Sequence, residues 1–186
     1  MACTASSGLR AMQLAMAVLA VGMAPLCHAD PAVHIAYGRD YPHDINKYEI
    51  GVQWYSGFAW GNPQGWQTNL LWEVDLAEWN ARRGTPRQNV TEVGFSPVFR
   101  FQKHGGPIEP FLEASIGFRL MSHTSTSPSH NYSTAFRFTE TIGFGFAFGR
   151  DHAAEVGFRL QHLSNGGIKK PNPGTDFIIG YLSWRF

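Results

Sequence analysis

Residues 136–148 read FRFTETIGFGFAF, and their alternation decides the fold. Phe136, Phe138, Ile142, Phe144, Phe146 and Phe148 fall on one parity, and Arg137, Thr139, Thr141, Gly143 and Gly145 on the other. Successive side chains of a strand point to opposite faces, so one face here is large and apolar while the other is small or charged. The same period continues outward along the chain. Leu112, Ala114, Ile116, Phe118 and Leu120 oppose Glu113, Ser115, Gly117 and Arg119; Val93, Phe95, Phe99 and Phe101 oppose Glu92, Gly94, Ser96, Arg100 and Gln102. Eight segments are predicted to be strands: 32–39, 46–57, 66–78, 90–103, 109–121, 134–148, 152–163 and 175–186. Most exceed the mean of about 5–6 residues in soluble proteins. They suit the roughly 9–11 residues with which a tilted strand crosses a bilayer.

A soluble sandwich would alternate too, so the polar face has to discriminate. Glu49, Glu73, Asp75, Glu92, Glu113 and Glu155 share it with Arg100, Arg119, Arg137, Arg159 and Arg185. Acids and arginines interspersed with glycine suit the interior of a narrow barrel, where opposite charges pair and the large apolar face meets lipid. The predicted class is all-β, an eight-stranded antiparallel transmembrane β-barrel. Closure also removes the exposed edges that an open sheet of this hydrophobicity would present. Glu140 stands on the lipid parity, and the periodicity supplies no reason for it.

Composition agrees once the first segment is set aside. The chain has 186 residues, 44% hydrophobic and 16% charged, with a formal net charge of +1. Its 26 aromatics exclude a disordered chain, and the absence of a basic excess excludes an electrostatic nucleic-acid binder. Residues 1–29 read as a secretory signal peptide. Arg10 precedes an apolar stretch of 16 residues interrupted by Gln13, and Cys27-His28-Ala29 supplies small residues before a cleavage site. That stretch falls short of the about 20 residues of a membrane anchor, and Ala24-Pro25-Leu26 is a poor lead-in for lipid attachment at Cys27. Residues 30–186 then form the barrel domain, with 14 bases, 14 acids and no cysteine. Neither a disulfide framework nor thiol chemistry is available there. The expected location is the outer membrane of a Gram-negative bacterium.

With an even number of strands, both ends of the barrel lie on the periplasmic side, where turns are short. The seventh and eighth strands therefore meet at the cell exterior. Parity along the seventh puts Ala154, Val156, Phe158 and Leu160 toward lipid, and His162 and Ser164 continue that face. Parity along the eighth, from Phe186, Trp184, Leu182, Gly180 and Ile178, brings Asp176 to the same side. An alcohol, an imidazole and a carboxylate thus gather on the outside of the barrel, the residue set of a Ser-His-acid hydrolase. Polar residues at a barrel rim also simply meet water and headgroups. The other histidines of the barrel domain are His34, His43, His104, His123, His130 and His152. None has a metal-binding spacing, and no metal is expected. His123 and His130 flank a Ser/Thr-rich stretch, 122–133, that reads as an external surface loop.

The cluster His162-Leu163-Ser164-Asn165, followed by Lys169-Lys170-Pro171-Asn172 and a terminal strand ending at Phe186, resembles the PagL-type lipid A 3-O-deacylase family. The specific match spans about 161–186. The resemblance implies an outer-membrane esterase that hydrolyses the ester-linked 3-hydroxyacyl chain at position 3 of lipid A. It implies Ser164 as nucleophile, His162 as base and Asp176 as the acid, where the family pattern favours Glu. It assigns Asn172 to the oxyanion hole, with Asn165 and Gly174 as supporting positions. Lys169, Lys170 and Arg150 are candidates to meet lipid A phosphates, or else solvated loop charges. No cofactor is expected. The expected partners are lipopolysaccharide and outer-membrane lipid, with a homodimer left open. The alternatives are a non-enzymatic structural or adhesive barrel and a lipid A acyltransferase.

Overall fold

The computed structural model describes residues 30–186 other than 83, 85 and 129. The predicted signal peptide lies outside the described residues. Eight long strands close a barrel: β1 (Ala32–Asp40), β2 (Ile45–Gly61), β3 (Trp66–Ala81), β4 (Val90–Lys103), β5 (Ile108–Met121), β8 (Phe136–Phe148), β9 (Ala154–Ser164) and β10 (Thr175–Arg185). Every neighbouring pair is antiparallel, and β1 pairs with β10 from Ala32↔Arg185 to Arg39↔Ile178, which completes the ring. The predicted strands are all present, with ends displaced by a few residues. β2 continues past 57 because a bulge between Tyr55 and Ala59 restores its pairing with β3.

The inside and outside follow the parity read from the sequence. Ile116, Ile142, Phe144, Phe158, Leu160, Ile178 and Leu182 lie exposed on the outer face. Trp66 stacks on Phe101 at one rim, with ring centroids 4.6 Å apart, and Tyr37 packs on Tyr48 toward the other, at 5.4 Å. Such aromatics suit the two membrane–water boundaries. The lumen holds a connected ion lattice. Arg159 reaches Glu113 at 2.7 Å and Glu73 at 2.9 Å; Arg100 reaches Glu155 at 2.8 Å; Arg119 reaches Asp75 and Glu92, each at 3.1 Å. Lys47 joins Glu49 and Glu92 at 2.8 and 2.9 Å. Buried charges are tolerable only when paired in this way.

Not all of the aromatics are outside, and Phe111 and Tyr181 stand on the lumen parity. Phe111, Tyr181 and Tyr132 are buried within the barrel, beneath the guanidinium groups of Arg100, Arg159 and Arg137 at 4.2, 4.5 and 4.4 Å. Buried Gly157 makes room for one of these rings, since a Cβ there would clash with Tyr181. At the site's end of the barrel, Trp79 contacts Phe177 edge-on at 4.8 Å, and with Ile45, Val90, Met121, Leu163 and Ile179 they form an apolar plug.

The stretch 122–133 also departs from the surface loop expected of it. It folds into a small hairpin, β6 (Ser125–Ser127) with β7 (His130–Asn131), that turns back over the barrel mouth. Thr126, His130 and Tyr132 are buried there. Burial, His43 and Arg137 together push the His130 imidazole down to about 4, so it is neutral at neutral pH.

Arg159→Met leaves Glu73 and Glu113 buried without their closest cation. It is expected to destabilise the barrel by about 3–5 kcal/mol, read as a lowered urea midpoint for the protein refolded in detergent. Adding Glu73→Gln and Glu113→Gln to that variant should recover most of the loss.

Candidate active site

The site is a row of polar residues across three adjacent strands on the outer face. Glu140 of β8 pairs in register with His162 of β9, and His162 pairs with Asp176 of β10. His162 Nδ1 lies 2.5 Å from Asp176 Oδ1. Their side chains are 44% and 76% exposed, so the pair faces outward from the barrel. Ser164 closes β9 two residues further on, on the same face, beside Phe138 of β8. Its Oγ accepts a hydrogen bond from the Gly166 N–H at 3.3 Å.

The end of β9 is anchored from within. Leu163, between the two polar residues, turns into the apolar plug, and its carbonyl accepts from Arg137 Nη2 at 2.8 Å. The following loop is held by Asn165, which is completely buried. Its Nδ2 donates to the Lys169 carbonyl at 2.6 Å and to the Tyr132 carbonyl at 3.3 Å, and its Oδ1 accepts from Gly167 N–H at 2.9 Å. The Asn165 N–H in turn donates to Asn172 Oδ1 at 2.9 Å. Gly174 precedes β10 with φ +70°, and a Cβ there would stand 3.1 Å from His162 Cε1. A side chain would therefore be strained and would crowd the imidazole.

A groove of about 720 Å³ runs along the outer wall to this row. Phe99, Ile116, Ile142, Leu160 and Ile178 supply its apolar lining, and Glu140, His162 and Asp176 its polar end.

The residues singled out in the sequence divide clearly. His162 and Asp176 pair directly, and Ser164 stands two residues from His162 on the same face; Asn165 and Asn172 are joined by a hydrogen bond, and Gly174 lies against the His162 ring. Lys169 and Lys170 are exposed on the same loop. Arg150 is a correction. It lies in the turn between β8 and β9, at the opposite rim from Ser164, because β9 runs its full length between the two. It cannot share a ligand with the lysines. Glu140 and Arg137 are the participants that sequence reading did not assign. Glu140 carried a visible signal, a carboxylate on the lipid parity, but nothing in the chain pattern said which strand position it would face.

A family profile described as Lipid A 3-O-deacylase (PagL) matches residues 46–185. The chain belongs to the PagL family of lipid A 3-O-deacylases. It is 31% identical over 129 residues to Lipid A deacylase PagL of Pseudomonas aeruginosa, covering 69% of this chain and 72% of that one. It is 29% identical over 157 residues to the Bordetella bronchiseptica Lipid A deacylase PagL, covering 83% and 82%. The crystal structure of the outer membrane enzyme PagL superposes with a TM-score of 0.72 at 26% identity, over 83% of this chain and 99% of the other. This PagL-family member is accordingly an outer-membrane β-barrel and an ester hydrolase.

Gly174→Ala is expected to leave the barrel folded and to lower the deacylation rate about 10²-fold, the scale of an ångström-sized misplacement of a reacting group. The check is deacylation of lipid A in mixed detergent micelles, with gel mobility before and after heating as the measure of folding.

Proposed function

We propose that this lipid A 3-O-deacylase works through a triad of Ser164, His162 and Asp176. The observation that carries the reading is the 2.5 Å contact between His162 Nδ1 and Asp176 Oδ1. A carboxylate on Nδ1 leaves Nε2 as the base and favours the tautomer that accepts the serine proton. The shorter Asp in place of the Glu expected from the family pattern still reaches the ring, because in-register pairing of β9 and β10 puts the two residues side by side.

The reaction is a double displacement. His162 takes the proton of Ser164 as Oγ bonds to the carbonyl carbon of the 3-linked hydroxyacyl ester. His162 returns that proton to the sugar oxygen as the C–O bond breaks, releasing the 3-hydroxyl of lipid A. Water, deprotonated by His162, then cleaves the acyl-serine and frees the fatty acid. Two donors are suited to the oxyanion: the Gly166 N–H, already at 3.3 Å from Ser164 Oγ, and the Asn172 side-chain amide, whose oxygen is committed to Asn165. Preorganised donors of this kind are worth about 2.7–4 kcal/mol each in other hydrolases. Glu140, in register on the other flank of His162, is a second carboxylate beside the ring.

The groove supports a site on the outer wall. Its apolar length suits an acyl chain that never leaves the membrane, while Lys169 and Lys170 on the loop above suit the phosphates of the headgroup. The active site on this reading belongs to the outer leaflet.

Mass spectrometry of lipid A from cells making the wild-type protein should show loss of one 3-hydroxyacyl chain, and the Ser164→Ala protein should leave lipid A unchanged. Unaltered lipid A with folded wild-type protein would exclude the deacylase, and an added acyl mass would assign an acyltransferase instead. Asp176→Asn is expected to reduce kcat by a factor of about 10²–10⁴. Glu140→Gln, which keeps the triad, should cost less than about tenfold. Steady-state kinetics on purified lipid A separates the two effects.

A further inference from the structure

We propose that Asp40, His43 and His130 form a binding site for a divalent transition-metal ion, zinc in type, at the outer mouth of the barrel. The three residues come from separate parts of the chain. Asp40 ends β1, His43 sits in the turn to β2, and His130 begins β7 of the hairpin that covers the mouth. One carboxylate oxygen and one ring nitrogen from each histidine lie within 4.8 Å of one another. Ligands of a tetrahedral zinc ion stand about 3.3 Å apart, given metal–nitrogen distances of about 2.0–2.1 Å, so closure around an ion requires the two stacked imidazoles to turn until their ring nitrogens converge.

The cluster is built rather than incidental. Asp40 is completely buried and His130 is 5% exposed. The two imidazoles stack with centroids 3.7 Å apart and planes 24° from parallel. Asp40 holds His43 twice, accepting its backbone N–H at 3.1 Å and lying 2.7 Å from its Nδ1. His130 Nε2 is buried yet finds no hydrogen-bond partner among the described residues. An orphaned buried polar atom of this kind costs about 1–3 kcal/mol, and a metal ion is a partner that would satisfy it.

Ligand chemistry selects the class of ion. Two imidazoles with one carboxylate and an open position for water match zinc and its transition-metal neighbours, whereas calcium and magnesium favour oxygen ligands. Arg137 lies near His130 and its charge opposes a cation; the Leu163 carbonyl and the Tyr132 ring hold its guanidinium in place without neutralising it. The Asp40 carboxylate supplies compensating charge.

An ion here would staple the β1–β2 turn to the hairpin. Beyond β7, the Tyr132 carbonyl accepts from Asn165 Nδ2 and Ser133 Oγ donates to the Lys169 carbonyl at 3.1 Å. The staple would therefore steady the loop after Ser164 without entering the reaction. Only the Asp40–His43 spacing is local; the third ligand is brought in by the hairpin, which is why no metal signature stands in the sequence.

The test is titration of chelator-treated, refolded full-length protein in detergent with Zn²⁺, and with Co²⁺ for its visible spectrum. Saturable binding of one equivalent to this cluster is expected. His130→Gln should weaken it by more than about 100-fold, the upper range for loss of even a supporting partner. His123→Gln, in the same loop, and His162→Asn, at the surface imidazole–carboxylate pair, should retain it. Should His130→Gln fail to fold, His43→Asn replaces it with the same expected loss. Undiminished binding in the ligand variants, loss of binding in His123→Gln or His162→Asn, or no saturable binding by wild type would each overturn the site.

Discussion

The pairing of β10 with β9 on one side and β1 on the other is the constraint from which the rest of this molecule follows. Inside a bilayer no water is available to backbone N–H and C=O groups, so a sheet survives there only if its last strand meets its first. The Ala32↔Arg185 pairing and its continuation meet that demand. Once the ring is closed, each residue has one of two destinations. Most large apolar side chains go to lipid, and acids and bases are forced into a lumen too narrow for solvation. There they must neutralise one another, as Arg159 does with Glu73 and Glu113.

The same closure allows the proposed hydrolytic site to stand on the outside of a barrel. Three neighbouring strands bring Glu140, His162 and Asp176 into one row, where a polar group costs least, at the rim between lipid and water. The geometry of that row depends on contacts behind it. Leu163 is drawn into the plug, Arg137 holds its carbonyl, and Asn165 ties the next loop to the hairpin over the mouth. The exposed imidazole and hydroxyl sit on a strand end immobilised from inside, so in the proposed triad their positions would cost little further ordering entropy on meeting substrate.

Much of this was legible in the chain. The eight strands, their facing and the outward placement of His162, Ser164 and Asp176 come from a period of two that each segment carries by itself. The Ser/Thr-rich stretch was misleading because its composition is that of a surface loop, while its burial comes from Tyr132 and His130 packing into a mouth formed by other strands. Arg150 was misplaced for a related reason. Charge alone marks it as a phosphate partner, while the direction of β9, which the even strand count already implies, puts it at the other rim.

By itself the sequence determined which residues face lipid and which face the lumen, because strand parity is local and leaves a side chain only two directions. It also carried the cluster that resembles PagL, since those residues lie close together in the chain. Tertiary structure alone decided what stands beside what. Register between strands is set by the whole ring of hydrogen bonds, and it is register that sets Glu140 against His162. The same ring brings Trp79 and Phe177, both on the lumen parity, against one another as a plug, and the hairpin over its mouth brings His130 onto His43.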